Sequence, residues 1–152
     1  MTPLNLPQYE INVTEAPDGQ LQIFDRLRNK FVALTPEEWV RQHFVSYLLT
    51  HKGYPAGLMA NEVSLTLNGT SRRSDTVVYT SVATPLVIVE YKAPSVKISQ
   101  KTFDQIIRYN MVFQAPYIIV SNGLNHYCCH IDFKNHSYKF LPDIPNYGEL
   151  EK

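Results

Sequence analysis

Two short runs of apolar residues, separated by a brief polar stretch, form the clearest pattern in the chain. The runs are residues 76–79 and 86–89, and small or polar residues, 81–84, lie between them. Two such runs joined by a short loop predict a β-hairpin. Both faces of the second strand are apolar, which is typical of a strand that is buried on both sides. The residues 90–92, Glu-Tyr-Lys, then bring charge to the end of this buried strand.

The spacing of the two runs places two acidic residues opposite each other. If the polar stretch forms the loop, Thr80 faces Pro85, and the same register puts Asp75 opposite Glu90, with Cβ atoms about 5 Å apart. Glu90 and Lys92 share a face of the strand because they are two residues apart. Two interpretations of this charged strand end stay open. A divalent cation is held by the two carboxylates and a nearby main-chain carbonyl, or Lys92 forms an ion pair with one of the acids.

The residues before this hairpin predict an arm, a small sheet and a helix. Residues 1–10 show little periodicity and predict an irregular arm. A polar turn flanked by apolar residues in the range 21–34 predicts a small N-terminal β-hairpin. Thr35, followed by proline, predicts the N-cap of a first helix that ends near His51, and Glu38 completes a capping box with Thr35.

A further strand and a second helix flank the central hairpin. Residues 62–67 alternate between polar and apolar, and the Asn68-Gly69 turn signal follows them. The second predicted helix spans about residues 100–113. Its apolar side is predicted to consist of Phe103, Ile106, Ile107, Met111 and Val112. Gln105 and Tyr109 are four residues apart on this helix and therefore share a face.

A last buried strand is predicted at residues 117–120. Because a strand, a helix and a second strand form a right-handed crossover, we expect this strand to lie parallel to residues 86–89. The loop 121–123 is then expected beside the charged end of the central hairpin. A final hairpin over residues 125–141 and a polar tail, 142–152, which we expect to be peripheral, complete the chain.

Composition places the chain among ordinary folded proteins. With 152 residues, of which 44% are hydrophobic and 18% charged, we expect a single domain over residues 1–152. The formal net charge is zero, which lowers the expectation of tight nucleic-acid binding by this domain alone. The sequence predicts no transmembrane helix and no signal peptide. The adjacent Cys128 and Cys129 suit a reducing cytoplasm better than a disulfide, so we expect a cytoplasmic protein.

Basic residues are concentrated around the charged strand end. Between Arg72 and Arg108 the chain has six Lys or Arg and three acids, and two of those acids are Asp75 and Glu90. If these two bind a cation, the surrounding surface is basic, as phosphate binding requires. A scatter of solubilising charges is the alternative interpretation.

The charged strand end has a familiar form. Asp75, followed by Glu90-Tyr91-Lys92, resembles the D…(D/E)-x-K core of the PD-(D/E)XK nuclease superfamily, although Ser74 stands where the superfamily name has Pro. A wider set of blocks resembles the N-terminal nuclease domain of type I restriction enzyme R subunits. These blocks are TPEEWVRQHF (35–44), GYP (53–55), RRSD (72–75), VEYKAP (89–94), QIIRYN (105–110) and SNG (121–123). Their order and spacing, over roughly residues 23 to 123, carry the resemblance.

The resemblance implies a fold and a reaction. The expected fold is a restriction-endonuclease-like α/β domain with a mixed central sheet of four to five strands flanked by helices. The expected function is that of a metal-dependent DNA endonuclease, which hydrolyses phosphodiester bonds with Mg²⁺, or Mn²⁺ as a substitute. Asp75 and Glu90 are the expected metal ligands, and Lys92 is expected to orient or activate the water.

The resemblance also implies supporting residues. The first helix is expected to supply a further acid, Glu38, with Glu37 as the rival; the alternative for Glu38 is the capping box alone. Gln105 and Tyr109 match a Gln-x-x-x-Tyr motif that lies near the active site and the DNA in part of the superfamily. The side chains expected to contact DNA are all basic. They are Arg72, Arg73, Lys97, Lys101 and Arg108.

Partners and alternatives follow from the same resemblance. DNA is the expected partner, no membrane is involved, and a motor or specificity subunit and a homodimer stay open. The second function hypothesis is a non-catalytic or partner-dependent DNA-binding module with a nuclease fold. Action on RNA or on a free DNA end is a third hypothesis.

Overall fold

The computed structural model describes residues 1–152, except the side chains of Leu67 and Val112. In the main chain so described, an antiparallel sheet of three strands precedes a larger mixed sheet of six. The small sheet contains β1 (Val13–Glu15), β2 (Leu21–Asp25) and β3 (Lys30–Ala33). The remaining elements are α1 (Pro36–His51), β4 (Met59–Leu67), β5 (Thr70–Tyr79), β6 (Pro85–Tyr91), α2 (Gln100–Asn110), β7 (Tyr117–Ser121), β8 (His126–Asp132) and β9 (Ser137–Leu141).

The large sheet follows the chain order from β4 to β9, and only β6 and β7 pair in parallel. The predicted α/β architecture is present, but both sheets are larger than predicted. The central sheet has six strands instead of four to five, because the final hairpin pairs with β7 through β8 and so extends the sheet. The N-terminal hairpin is a three-stranded sheet, because β1 adds to β2.

The strands β5 and β6 pair in the register that was predicted for Asp75 and Glu90. Thr76 pairs with Val89, and continuing this register by one residue places Asp75 opposite Glu90. At the loop end the prediction is wrong, because a β-bulge makes Tyr79, and not Thr80, the partner of Pro85. Thr80 belongs to the loop: its main-chain N–H donates to the Thr84 carbonyl, at 2.9 Å.

The parallel pairing of β6 and β7 is also as predicted. Glu90 pairs with Val120, and Tyr91 pairs with Ser121. The main-chain N–H of Lys92 continues the ladder, donating to the Ser121 carbonyl at 2.9 Å. The loop after β7 therefore lies next to the charged end of β6.

Helices cover both faces of the large sheet. On one face α1 packs Val40, Phe44 and Leu48 against strand residues that include Val89 and Ile119. On the other face α2 packs its buried residues against Ile118 and Val120. A fully buried side chain of this size contributes about 1.5–3 kcal/mol, so the two helix faces hold the sheet between them.

The two adjacent cysteines lie in β8, and the second helix is shorter than predicted. Cys128 and Cys129 are free, buried thiols on opposite faces of β8, and burial raises the pKa of each to about 12. The second helix ends at Asn110 and continues as a 3₁₀ turn, Met111–Phe113, and the turn ends at Gln114, which has a left-handed conformation with φ of 56°. The side chain of Val112 lies outside the described residues.

Both chain ends pack against the body of the protein. The irregular arm is held through Asn5, whose main-chain N–H donates to the Gly123 carbonyl at 2.8 Å. The tail, expected to be peripheral, contributes to the core beside α1, because its apolar side chains Ile144 and Leu150 are buried in the same hydrophobic cluster as Val40, Phe44 and Leu48. No helix in the described part of the chain is long and apolar enough to cross a membrane.

Truncating Leu150 tests the packing of the tail. Leu150 is only 5% exposed, so Leu150→Ala should lower the free energy of unfolding by about 2–4 kcal/mol in urea denaturation. Val82 is 77% exposed, and Val82→Ala is the matched control, with an expected change within about 0.5 kcal/mol. Equal, small effects of both substitutions would show that the tail does not pack.

Candidate active site

Two carboxylates meet at the ends of β5 and β6. Asp75 Oδ2 accepts the main-chain N–H of Tyr91 at 2.9 Å, which brings the Asp75 carboxylate to the strand end that carries Glu90. Glu90 is only 6% exposed. Burial, and then the charge and hydrogen bond of Asp75, raise the pKa of Glu90 to about 8, although Arg72 opposes this shift. The structure therefore brings together the two acids that the hairpin register predicted.

Lys92 does not neutralise this pair. The partner of Glu90 is Arg72, whose Nη2 lies 3.4 Å from Glu90 Oε1. Among the residues that the structure describes, no ion pair within 4.0 Å involves Lys92. The interpretation of the strand end as an ion pair between Lys92 and Asp75 or Glu90 is therefore not what the structure contains. Lys92 is half-buried, two residues beyond Glu90.

Glu38 is buried near the start of α1, with its carboxylate already occupied. It accepts from Arg41 Nε at 2.9 Å, from Gln42 Nε2 at 2.8 Å and from Arg28 Nη2 at 3.4 Å. Its main-chain N–H donates to Thr35 Oγ1 at 3.0 Å, which is one half of the predicted capping box. The reciprocal bond to the carboxylate is not among the hydrogen bonds of the described residues, because the side chains of Arg41, Gln42 and Arg28 take that carboxylate.

Glu62 is a further acid that the sequence analysis missed. It interrupts β4 with a φ of 58°, between the pairs Asn61–Thr76 and Val63–Ser74, and so stands opposite Asp75. The sequence contained a signal for the position of Glu62. The Asn68-Gly69 turn sets Leu67 opposite Thr70, and counting back along both strands from this pair puts Glu62 opposite Asp75.

Arg41 joins these acids to the sheet. Its Nη2 donates to Glu62 Oε1 at 2.5 Å, and its Nη1 donates to the main-chain carbonyl of Asp75 at 2.6 Å. Burial by itself would lower the pKa of Arg41, but the Glu38 charge and the Glu62 hydrogen bond outweigh it and raise the pKa. Burial would likewise raise the pKa of Glu62, yet Arg41 holds it below its ordinary value. Arg41 and Glu62 are therefore both charged.

These contacts form one continuous ion-pair chain of alternating charge. We call this set the arginine chain, and its members in order are Arg73, Glu62, Arg41, Glu38, Arg28 and Asp25. The arginine chain borders a cavity of about 380 Å³ that Asp75, Glu37 and Tyr91 also line. Glu37 is exposed, so of the two rival helix acids Glu38 is the buried one.

A second cavity, of about 590 Å³, lies on the α2 side. Its lining residues are Thr70, Arg72, Gln105, Ile106, Arg108 and Tyr109. Gln105 and Tyr109 therefore face one space, as their spacing predicted. The guanidinium of Arg72 lies 4.1 Å from the centroid of the Tyr109 ring. Arg72, which lines this cavity, also contacts Glu90, and Asp75 lines the first cavity. The carboxylate pair therefore lies between the two cavities.

The five basic residues predicted to contact DNA occupy different surroundings. Arg72 and Arg108 line the larger cavity. Arg73 pairs with Glu62, although its side chain is 67% exposed. Lys97 and Lys101 are exposed around the start of α2.

The carboxylate pair has the chemistry of a site for a hard divalent cation. Burial, and then the charge of Asp75, raise the pKa of Glu90, and a cation between the two carboxylates would offset both effects. In the described part of the chain, no group of three or more His, Cys, Asp or Glu side chains is arranged to hold a metal ion. Asp75 and Glu90 would therefore need a main-chain carbonyl and waters to complete a ligand set, which suits Mg²⁺.

Comparisons with known proteins agree with this fold. The family model described as "Type I restriction enzyme R protein N terminus (HSDR_N)" matches residues 36–145. The fragment structure of a putative HsdR subunit of a type I restriction enzyme from Vibrio vulnificus YJ016 is similar, with a TM-score of 0.54 and 19% sequence identity. The match covers 77% of this chain and 24% of the Vibrio chain, and at this identity it shows the fold alone. No curated protein matches the chain.

The raised pKa of Glu90 predicts how stability depends on pH. A carboxyl group with a folded pKa of about 8 and an ordinary value of 4.5 keeps its proton in the folded state after the unfolded state has lost it. The free energy of unfolding should therefore fall as pH rises from about 5 to 8, by up to about 1.4 kcal/mol per pH unit from this group. Glu90→Gln should remove this decline in urea denaturation of the protein in EDTA.

The exposed Glu37 provides the control for this experiment. Glu37→Gln removes a carboxylate from the same region without removing a buried proton, so its pH profile should follow that of the unsubstituted protein. If Glu90→Gln and Glu37→Gln give the same profile, the pKa of Glu90 is not raised.

Removing Arg41 tests the arginine chain. Arg41→Met leaves Glu38 and Glu62 without their shared partner, so the free energy of unfolding should fall by about 3–5 kcal/mol. Arg73→Met also removes a partner of Glu62, but Arg73 is mostly exposed, and a loss of at most about 1 kcal/mol is expected. Similar losses for both variants in urea denaturation would contradict the central place of Arg41.

Proposed function

We propose that this chain, which belongs to the family of type I restriction enzyme R protein N termini, is a metal-dependent nuclease domain that cleaves phosphodiester bonds in DNA. At the level of the family, membership implies a restriction-related DNA nuclease function. The match spans about a quarter of the length of the Vibrio chain.

The carboxylate pair of Asp75 and Glu90 is the observation that carries this proposal. The two acids lie together at a buried strand end, and the proximity of Asp75 contributes to the raised pKa of Glu90. Such an arrangement is costly unless a cation binds there. When bound, Mg²⁺ supplies charge neutralisation at the phosphate and a bound water of lowered pKa.

The protein's own groups have separate parts in this proposal. Asp75 and Glu90 bind the cation, and the Tyr91 N–H holds the Asp75 carboxylate in place. Lys92, which the structure leaves outside any ion pair of the described residues, is available to orient the attacking water or to stabilise charge on the phosphate. Glu38 holds Arg41 in position, and its hydrogen bonds leave it poorly suited to bind metal directly.

The larger cavity supports DNA as the substrate. It adjoins the carboxylate pair through Arg72, and its polar lining includes Gln105, Arg108 and Tyr109. Guanidinium groups match phosphate oxygens in charge and geometry. We propose that these side chains place the DNA backbone beside the carboxylate pair, and that Lys97 and Lys101 extend the basic surface.

A partner-dependent DNA-binding module is the second candidate function. The observation that favours it is the occupation of Glu38 and Glu62 by arginines, because these two buried acids are then less able to join Asp75 and Glu90 in binding a cation. In this case a motor or specificity subunit would be needed to complete an active arrangement.

Cleavage of supercoiled plasmid in a Mg²⁺ or Mn²⁺ titration tests the proposal. The unsubstituted chain should nick or linearise the plasmid only with metal present. Asp75→Ala, Glu90→Ala and Lys92→Ala should each reduce the rate by roughly 10²-fold or more. Lys134→Ala, in the exposed turn between β8 and β9, is the control and should cleave like the unsubstituted chain.

Calorimetric metal titrations separate the remaining outcomes. Metal binding that depends on Glu90, without cleavage, would favour the partner-dependent module. Neither metal binding nor cleavage would refute the nuclease proposal. Cleavage of RNA or of linear DNA ends in place of plasmid would change the substrate and leave the roles of Asp75 and Glu90 intact.

A further inference from the structure

Arg72 is the side chain through which the carboxylate pair meets the larger cavity. One end of its guanidinium contacts Glu90, with 3.4 Å between Nη2 and Oε1. The guanidinium also lies over the Tyr109 ring, 4.1 Å from its centroid. Its Nε is buried and has no hydrogen-bond partner among the described residues.

A buried guanidinium N–H without an acceptor is unfavourable, because its bond to water is lost and not replaced. Polar groups of this kind are rare in folded proteins, and one explanation for them is an acceptor that the chain itself does not supply. The contact with Glu90 is long for a charge-assisted hydrogen bond. Arg72 is therefore incompletely satisfied by its present partners.

The cavity around Arg72 is suited to an anion. Arg72 and Arg108 contribute two positive charges, and Gln105 and Thr70 add polar groups. None of the lining side chains that the structure describes is acidic. Convergent donors without a carboxylate attract a ligand that carries several acceptor oxygens.

Phosphate fits this cavity better than a nucleobase. The Arg72 guanidinium covers a face of the Tyr109 ring, which a stacked base would otherwise use. The contact with the ring also holds the guanidinium at the cavity wall, and a guanidinium can present its N–H groups to two oxygens of one phosphate.

We propose that Arg72, together with Arg108 and Gln105, forms a phosphate subsite in this cavity, and that Glu90 competes with the phosphate for Arg72. The inference rests on the proposed function, since the phosphate is taken to belong to DNA. Arg72 Nη2 contacts Glu90 Oε1 at 3.4 Å, so a phosphate that takes this N–H group must displace Glu90 from it. A cation that occupies Glu90 removes this competition, so cation and phosphate strengthen each other's binding.

The salt dependence of DNA binding tests the subsite. A short fluorescein-labelled DNA duplex is titrated with the protein in EDTA at several salt concentrations, and binding is followed by fluorescence anisotropy. Each phosphate contact contributes about 0.9 to the slope of log K against log salt. Arg72→Gln should lower the magnitude of this slope by about that amount. Lys134→Gln removes an exposed charge in the turn between β8 and β9 and should leave the slope unchanged.

A double-mutant cycle tests the competition. At pH 9, where the Glu90 carboxyl is ionised, Glu90→Gln should tighten duplex binding in EDTA by roughly fivefold, because neutral Gln holds Arg72 less strongly than a carboxylate does. The same substitution in the Arg72→Gln background should give little or no tightening. Equal tightening in both backgrounds would mean that Glu90 acts only through its charge, which would overturn the competition. Thermal unfolding of each variant confirms that it is folded.

Calcium gives a readout that does not depend on cleavage. Ca²⁺ should tighten duplex binding by roughly fivefold in the unsubstituted protein, and this gain should be lost in Arg72→Gln. An unchanged gain in Arg72→Gln would refute the coupling through Arg72.

Inorganic phosphate separates the inference from the proposed function. If the protein binds inorganic phosphate in calorimetry, and Arg72→Gln abolishes this binding, the subsite stands even if no duplex binds and the nuclease proposal fails. If duplex binds with the same salt slope in Arg72→Gln, the subsite is refuted while the nuclease proposal stands. Binding of neither probe would refute both.

Discussion

The guanidinium of Arg41 is the contact on which the rest of the site depends. It bonds Glu38 on α1, Glu62 on β4 and the main-chain carbonyl of Asp75 on β5. The carbonyl bond falls where Glu62 interrupts the ladder between β4 and β5. Arg41 therefore supplies a donor to the main chain at the residue whose side chain faces Glu90, and it ties the helix to the sheet at that point.

This arrangement divides the acids of the site into two kinds. Glu38 and Glu62 are neutralised by arginines, and the pKa of Glu62 is lowered by its contact with Arg41. Asp75 accepts the main-chain N–H of Tyr91 and Glu90 has the long contact from Arg72, while burial and the charge of Asp75 raise the pKa of Glu90. The first kind holds the elements together, and the second kind is a buried pair of acids in which Glu90 keeps its proton more readily than an ordinary carboxyl group. The proposed cation site coincides with this second pair.

A buried chain of hydrogen bonds connects the small sheet to the same strand end. Tyr91 donates to Thr76, Thr76 to Asn61, and the Asn61 amide to Asp25, with distances of 2.6–2.9 Å. Burial alone would raise the pKa of Asp25, but bonds from Arg28 and Asn61 lower it. Through these hydrogen bonds the N-terminal sheet holds Tyr91, the residue between Glu90 and Lys92, in place. The small sheet therefore helps to position the site.

The pattern along the sequence was sufficient for the central strands and for the register that sets Asp75 opposite Glu90, because turn signals and alternation set a hairpin register locally, but it did not give the full number of strands in either sheet. The same reasoning, applied from the Asn68-Gly69 turn, would also have placed Glu62 opposite Asp75. It could not show that Arg72, and not Lys92, contacts Glu90, nor that Arg41 occupies Glu38 and Glu62. Those partners come from elements far apart in the chain, and long side chains can reach several neighbours. Only the packing of α1 and α2 on opposite faces of the sheet, and the break in β4 at Glu62, decides which charges meet and which acids are left for a cation.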